Sequence, residues 1–563
     1  MSMEHSAHSV HHAGHTSVPV PSNIAPTYFN HPDHAGWIYA HIILMTVAWV
    51  VLLPLAVFVS TAKSRLATPI QSIFLVVNGL GIFTSIIYDA KTPDLYPNNS
   101  HHKIGWAVTW IAIAWFLLGL LNLFSRPKQS DDTDTGSHAM TSQTMAQYER
   151  LHGYDVRGSS RFSRDSGHGT ERNSSTCSGP TRTNSTEHVL QKPEQPTFPI
   201  DDESEYGEAQ TSDHDSRPFL RNPVIHRFMT RRIPQLESAR LCKAIDTTYT
   251  VLERLQVILS FLALTTGFVT WIGIFHSDGL LNGLAHWIKG GIFFWYGLLT
   301  LGRWMGAWAS WGWAWNLRPD RPIVSRLASR MPSAEFTESF VIFLYGATNV
   351  FLEHLTAWGK EWSMMDLEHI SITIMFFGGG LLGMLVESPR ARRLLNASIE
   401  LRHDETQTLA APDYPVEQWE RPKSYTTSLN PVPALVIFLL GLVMSSHHQD
   451  SATSTTVHAQ WGTLFSGFAL ARLATYLLMY LAPPTSYYPS RPPTELVASF
   501  CLVCGGLVFM ASTRDVIKLL DRNGLHAMFV LTVVVGLTCL IMVWAVVLYG
   551  VRGWALRRER RRA

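Results

Sequence analysis

Charged residues are scarce in this sequence: only 16% of its 563 residues are Asp, Glu, Lys or Arg, whereas 46% are hydrophobic. A chain this long and this apolar does not fit a single soluble domain. Cysteine is scarce too, and none of the five falls in a loop predicted to face outward, so we expect no disulfide there. No nucleic-acid-binding motif is present, and we interpret the basic clusters as determinants of membrane topology.

Long apolar runs are the main feature that the sequence does have. About eleven of them approach the length of roughly 20 residues that a helix needs to cross a bilayer. They lie near residues 37–60, 69–89, 104–124, 253–275, 284–302, 337–357, 366–386, 432–446, 459–482, 495–513 and 527–550. In lipid each run must satisfy its own backbone hydrogen bonds, and the runs are too long for barrel strands. We therefore predict an all-α polytopic membrane protein with about eleven transmembrane helices.

Lys and Arg are nearly absent from one set of loops, which holds only Lys91, Lys103, Lys360, Arg514, Lys518 and Arg522. The other set carries Lys63, Arg65, Arg126, Lys128, Arg231, Arg232, Arg318, Arg321, Arg326, Arg330, Arg390, Arg392, Arg393 and the tail "RRERRRA". By the positive-inside rule the N-terminus is extracytoplasmic and the C-terminus cytoplasmic. The chain has no apolar signal-peptide core before the first span, so we expect that span to direct insertion into the secretory pathway or plasma membrane.

Composition divides the chain into two membrane domains and three polar segments. Residues 126–245 are rich in Ser, Thr, Asp, Glu and Arg and have almost no apolar periodicity, which predicts a disordered cytoplasmic linker. The predicted order is a His-rich outer tail (1–36), a three-helix membrane domain (37–125), this linker, an eight-helix membrane domain (246–551) and a basic cytoplasmic tail (552–563).

Outside the tail and the linker, the histidines that map to span ends all map to the outer face. They are His41, His101, His102, His276, His286, His354, His369, His447, His448, His458 and His526. A histidine in the first turn of a helix is kept neutral by the helix dipole, and neutral imidazole binds metals. Imidazole also suits the headgroup region, so each single residue has an interfacial explanation. Their one-sidedness favours a functional cluster.

The first and third spans carry a recognisable pattern. "HIILMTVAWVVLLP" from residue 41 resembles the H-x-x-L-M-x-x-x-W motif of the transmembrane ascorbate-dependent b-type cytochromes, and "HHKIG" from residue 101 resembles their H-x-x-x-G. The resemblance implies that His41 and His101 are axial ligands of haem b, with His102 beside them, and that Gly105 gives the haem room. That family has a second histidine pair, but the second span "TPIQSIFLVVNGLGIFTSII" contains none. The sequence therefore predicts at most one haem, serving a redox partner at the outer face.

A broader resemblance covers nearly the whole chain. The arrangement of "HPDHAGWIYAHIILM", a polar linker, "HWIKGGIFFWYGLLTLGRWMGAW", "NVFLEH" and "LEHISITIMFFGGG" resembles the fungal Ytp-one-like family of integral membrane proteins. This resemblance implies an N-terminal three-span domain joined to a larger multispan domain. It leaves the activity open, because the family has no settled biochemical function.

Two further hypotheses come from the other outer histidines. Leu-Glu-His occurs on both sides of one outer turn, and more histidines surround the next turn, which is compatible with a site for a divalent metal ion, a proton relay or plain hydrogen-bonded pairs. The residues concerned are Glu353, His354, Glu368, His369, His447, His448 and His458. This predicts metal binding or transport. In the third hypothesis the protein is a non-catalytic scaffold whose histidines only anchor helices.

Three other features carry expectations. Arg472 lies within the ninth span and requires an acidic partner, which the sequence does not identify. Five tryptophans in residues 303–319 are typical of an interfacial belt. The glycines at 378–380 and 505–506 and the "CLVC" at 501–504 predict close helix packing.

Overall fold

The computed structural model describes residues 27–124, 239–276, 279–353, 361–409, 427–446 and 451–562, together with residues 422 and 449. Every regular element within these ranges is a helix, so the predicted all-α fold is confirmed. Most of the predicted outer tail and almost all of the predicted linker lie outside the described residues.

The helices follow the predicted spans. In chain order they are α1 (Ala35–Thr46), which continues through a π-helical segment (Val47–Leu52) into α2 (Leu53–Thr61), α3 (Ala67–Lys91), α4 (His101–Phe124), α5 (Ala239–Ile272), α6 (Gly279–Met305), α7 (Ala334–Glu353), α8 (Met364–Glu387), α9 (Pro389–Leu409), α10 (Val432–Ser446), α11 (Ala452–Leu481), α12 (Pro493–Ala511), α13 (Arg514–Arg522) and α14 (Ala527–Arg560). Among the described residues 8 helices are long and apolar enough to cross a membrane, and α10 is a shorter apolar helix. A polytopic membrane protein is therefore confirmed, whereas the count of eleven stays a prediction.

The backbone hydrogen bonding of the first span is irregular next to Pro54. Proline has no backbone N–H, so it cannot donate to the carbonyl of Val50, and the chain passes through the π-helical segment at this point. The Val50 carbonyl instead accepts a hydrogen bond of 2.9 Å from Nε1 of Trp544 on α14. This hydrogen bond connects the first span to the last one.

The N-terminal helices pack around a core that includes Trp49, Phe74 and Trp115, each at most 3% exposed. Helix α5 shares this core through Ala263. Helix α5 was predicted to belong to the larger membrane domain. In the structure, α5 is the fourth helix of an arrangement with α1, α3 and α4. This fourth helix forms one wall of the site described below.

The C-terminal helices approach one another closely through glycine. A Cβ built on Gly290 of α6 would lie 2.6 Å from the carbonyl oxygen of Gly506 on α12, and a Cβ on Gly506 would lie 2.6 Å from the carbonyl of Gly290. The two backbones are in direct contact, as small residues allow between membrane helices. Cys501 and Cys504 are buried on the same helix, in keeping with a packing role.

Gly380→Ala is expected to destabilise the protein, whereas Gly378→Ala is not. A Cβ on Gly380 would overlap the backbone of Phe343 on α7, but a Cβ on Gly378 would meet no atom within 4 Å. Overpacking of this kind costs about 1–3 kcal/mol, while alanine at an open helix position is favourable by roughly 0.5–1 kcal/mol. Thermal unfolding of both variants in detergent measures the difference. Equal melting temperatures would show that α7 and α8 do not meet at Gly380.

Candidate functional site

A cavity of about 400 Å³ lies between α1, α3, α4 and α5. Its walls are mostly apolar side chains, among which stand the imidazoles of His41, His101 and His102. Helix α1 contributes His41 and helix α4 contributes His101. A large cavity with apolar walls and a few converging polar groups is the usual form of a ligand or cofactor site.

The structure brings His41 and His101 together. Their ring centres are 6.4 Å apart, their planes are inclined by 73°, and both side chains are half-buried. His102 also lines the cavity, but it is exposed. Of the two adjacent histidines, His101 is therefore the one that pairs with His41.

Hydrogen bonds define which nitrogen of each ring carries a proton. Nδ1 of His41 lies 2.9 Å from the carbonyl oxygen of Gly81, which can only accept, so Nδ1 is the donor. Nδ1 of His101 lies 3.3 Å from Oγ1 of Thr266. That hydroxyl already donates to the carbonyl of Leu262, so the imidazole donates here as well. In the neutral form of both rings, Nε2 carries the lone pair that can bind a metal.

Two glycines make room around the rings. A Cβ on Gly267 of α5 would lie 2.9 Å from Cε1 of His101, so only glycine lets the ring pack against this helix. Gly105 lines the cavity, and a Cβ built on it would meet no atom within 4 Å. Gly105 is predicted from the sequence, but Thr266 and Gly267 are not, because no short-range pattern connects α5 to His101.

Loop residues form hydrogen bonds and a ring contact at the end of the bundle where His41 and His101 lie. Oη of Tyr96 donates to the carbonyl of Ile274 at 2.8 Å, and its ring stacks on His276 with centres 4.0 Å apart. Oη of Tyr28, which lines the cavity, donates to Asp94 at 3.3 Å. Partial burial raises the pKa of the Tyr28 and Tyr96 hydroxyls, so both remain protonated donors.

The first-turn argument for neutral imidazoles is wrong for most of the helices. His101 opens α4, but His41, His286 and His458 lie about two turns inside their helices. The dipole acts mainly within the first turn. These helices begin six or seven residues before their histidines, at Ala35, Gly279 and Ala452, so other residues form the first turns.

The residues of the metal hypothesis are only partly described. His458 is buried, with its ring centre 6.1 Å from that of His286, while His369 is half-buried and Glu368 exposed. His354, His447, His448 and the side chain of Glu353 lie outside the described residues. Over the part of the chain that is described, no group of three or more His, Cys, Asp or Glu is arranged to hold a metal ion. Metal binding therefore stays a prediction.

A second polar centre lies at the opposite end of α6 and α11, about 20–25 Å along these helices from His286 and His458. We call it the arginine cluster, and it consists of Arg303, Glu335, Glu338, Arg472 and Glu495. Each of its residues is at most 8% exposed. The acidic partner required by Arg472 is thus a pair of glutamates, Glu338 near the start of α7 and Glu495 in the first turn of α12.

The tryptophan-rich loop covers this cluster, so an interfacial belt is the wrong interpretation of its two buried tryptophans. Trp313 and Trp315 are 6% and 5% exposed. The carbonyl of Trp313 accepts from Nε of Arg303 at 2.7 Å, and the Trp315 ring lies 4.2 Å from the Arg303 guanidinium. Cation–π contact and hydrogen bonding hold the loop on the protein.

These features define an integral membrane protein, and comparison with known proteins identifies its family. Residues 259–553 match the model described as "Protein YTP1-like, C-terminal", and residues 22–125 match a domain of unknown function, DUF2427. An uncharacterized membrane protein of Schizosaccharomyces pombe is 32% identical over 94% of this chain and 96% of its own length. The chain therefore belongs to the YTP1-like family, which is the Ytp-one-like family of the sequence analysis.

Two Saccharomyces cerevisiae proteins are also similar. An uncharacterized membrane protein is 38% identical over 60% of this chain and 53% of its own length. Protein YTP1 is 27% identical over 51% of this chain and 52% of its own length. No solved structure matches the chain.

Proposed function

We propose that the cavity between α1, α3, α4 and α5 binds one b-type haem, with His41 and His101 as axial ligands, and that the protein transfers electrons at this end of the membrane. The observation that carries the proposal is the pair of imidazoles across a mainly apolar cavity, each with Nδ1 engaged by the protein. By the positive-inside rule this end faces away from the cytoplasm.

The spacing of the rings fits two ligands of one metal ion. Two imidazoles with ring centres about 6 Å apart could both hold one metal ion. The observed separation is 6.4 Å. The cavity volume of about 400 Å³ lies within the range of about 300–1,000 Å³ for small-molecule and cofactor sites.

The surrounding residues have the roles expected around metal ligands. The Gly81 carbonyl and the Thr266 hydroxyl hold Nδ1 of the two rings and so fix their orientation, as hydrogen bonds to the other ring nitrogen do for metal-binding histidines. Gly105 leaves open space beside the ligands. When bound, haem would supply one-electron oxidation and reduction, with axial ligands and burial setting its potential.

Absorption spectroscopy of the purified full-length protein tests the proposal. We expect a haem absorption band that shifts on reduction in the wild type, and loss of this band in both His41→Ala and His101→Ala. His102→Ala is the matched control, because His102 borders the same cavity but is exposed, and we expect it to retain the band. A wild-type protein without the band, or a band that survives both ligand substitutions, would refute the proposal.

A further inference from the structure

We propose that Glu495, buried in the arginine cluster, is a proton-binding site whose proton exchanges with water. The proposal is independent of haem, since no residue of the arginine cluster lines the cavity that holds His41 and His101.

The arginine cluster contains more acidic groups than basic groups. Its three carboxyl groups and two guanidinium groups would leave one negative charge in excess if all were ionised. All five side chains are nearly or completely buried. An uncompensated buried charge is costly in a protein interior, and protonation of one carboxyl group removes it.

The three carboxyl groups of the cluster differ in the hydrogen bonds that they accept. Glu338 accepts from Arg303 at 2.7 Å and from Arg472 at 3.2 Å, and Glu335 accepts from Arg303 at 2.8 Å. Glu495 has a contact of 2.7 Å between Oε1 and Nε of Arg472, but the pair does not form a hydrogen bond. Its Oε2 has no arginine partner either, and Thr475 is its other polar neighbour, although the residue is 0% exposed. Of the three carboxyl groups, Glu495 therefore receives the fewest hydrogen bonds from the arginines.

The groups around Glu495 support the same assignment. The charged residues around it are Arg303 from α6, Glu338 from α7 and Arg472 from α11, and Tyr296 and Tyr476 lie near other members of the cluster. The hydroxyl oxygen of Tyr476 is buried without a hydrogen-bond partner. Buried polar atoms of this kind are usually satisfied by water, which would also carry protons.

A cavity of about 110 Å³ gives water a place beside the cluster. Arg303 and Glu335 line it, together with Asn316, Ser333 and Ser428. A liquid water molecule occupies about 30 Å³, so the cavity has space for roughly three molecules. Arg318 also lines the cavity, but it is half-buried and water can screen its charge. The cavity can therefore place water beside Arg303 and Glu335, two members of the cluster, although Glu495 itself does not line it.

Infrared spectroscopy of the purified full-length protein at neutral pH tests the assignment. A protonated carboxyl group has a carbonyl band that an ionised carboxylate lacks, and the band shifts in heavy water when the proton exchanges. We expect this band in the wild type, its loss in Glu495→Gln and its retention in the exposed control Glu361→Gln. An unchanged band in Glu495→Gln, its loss in Glu335→Gln instead, or a band that does not shift in heavy water would overturn the proposal.

The melting temperatures of the variants test the assignment even if one variant folds poorly. Glutamine has nearly the shape of a protonated glutamate, so Glu495→Gln is expected to melt at the wild-type temperature. Glu338→Gln removes a carboxylate shared by two arginines and is expected to melt at a clearly lower temperature. If Glu495→Gln is as unstable as Glu338→Gln, or fails to fold, Glu495 is ionised in the native protein and the proposal is wrong.

Discussion

Arg472→Met is expected to lower the free energy of unfolding by about 3–5 kcal/mol, because it removes one partner of a buried ion pair and leaves the other charged. Arg472 is 1% exposed and contacts both Glu338 and Glu495. Methionine fills a similar volume but cannot donate, so the acidic groups of the cluster would keep only Arg303 as a counter-charge. Denaturant or thermal unfolding in detergent measures the loss.

Arg65→Met is the matched control for this substitution. Arg65 forms an ion pair of 3.9 Å with Glu559, but its side chain is 57% exposed. Exposed pairs contribute below about 1 kcal/mol. The two arginine variants should therefore differ severalfold in their effect. Similar losses for both would show that the arginine cluster is not sealed from water.

Gly105→Leu is expected to abolish haem binding while both ligand histidines remain. Gly105 lines the cavity, and the place where its side chain would start is open, so a leucine would project into space that we assign to the haem. Because the added side chain meets no protein atom within 4 Å at its Cβ, the variant should fold. The measurement is haem absorbance relative to protein after purification, combined with the melting temperature.

Gly536→Leu provides the control for Gly105→Leu. Gly536 lies within α14, is outside the cavity lining, and also has open space at its Cβ position. We expect normal haem content in this variant. Full haem content in Gly105→Leu would mean that the haem is not beside Gly105, even if His41 and His101 prove to be required.

Much of the fold is predictable from the sequence because apolar run length is a local property. The all-α class and the positions of the long membrane helices follow directly from it. The approach of His41 to His101 is also local in origin, since the short hairpin of α3 and α4 returns the chain to the end at which α1 starts. The close helix packing predicted at the two glycine runs is confirmed at Gly380 and Gly506. These runs are also a local property of the sequence.

The parts that were missed depend on contacts between distant segments. Glu338 lies 134 residues before Arg472, and no periodicity connects them. The position of α5 against α4, which places Thr266 and Gly267 at His101, requires the fold itself. Trp315 appeared as one of many tryptophans near a membrane surface, whereas the structure buries it against Arg303. Tertiary packing decided each of these cases.

The haem content of the purified wild-type protein, measured chemically against its protein concentration, tests the central proposal most directly. The pair formed by His41 and His101 predicts one haem for each chain, and His41→Ala predicts a preparation of folded protein with essentially none. Folded wild-type protein that contains no haem, even after expression with haem supplied, would contradict the account.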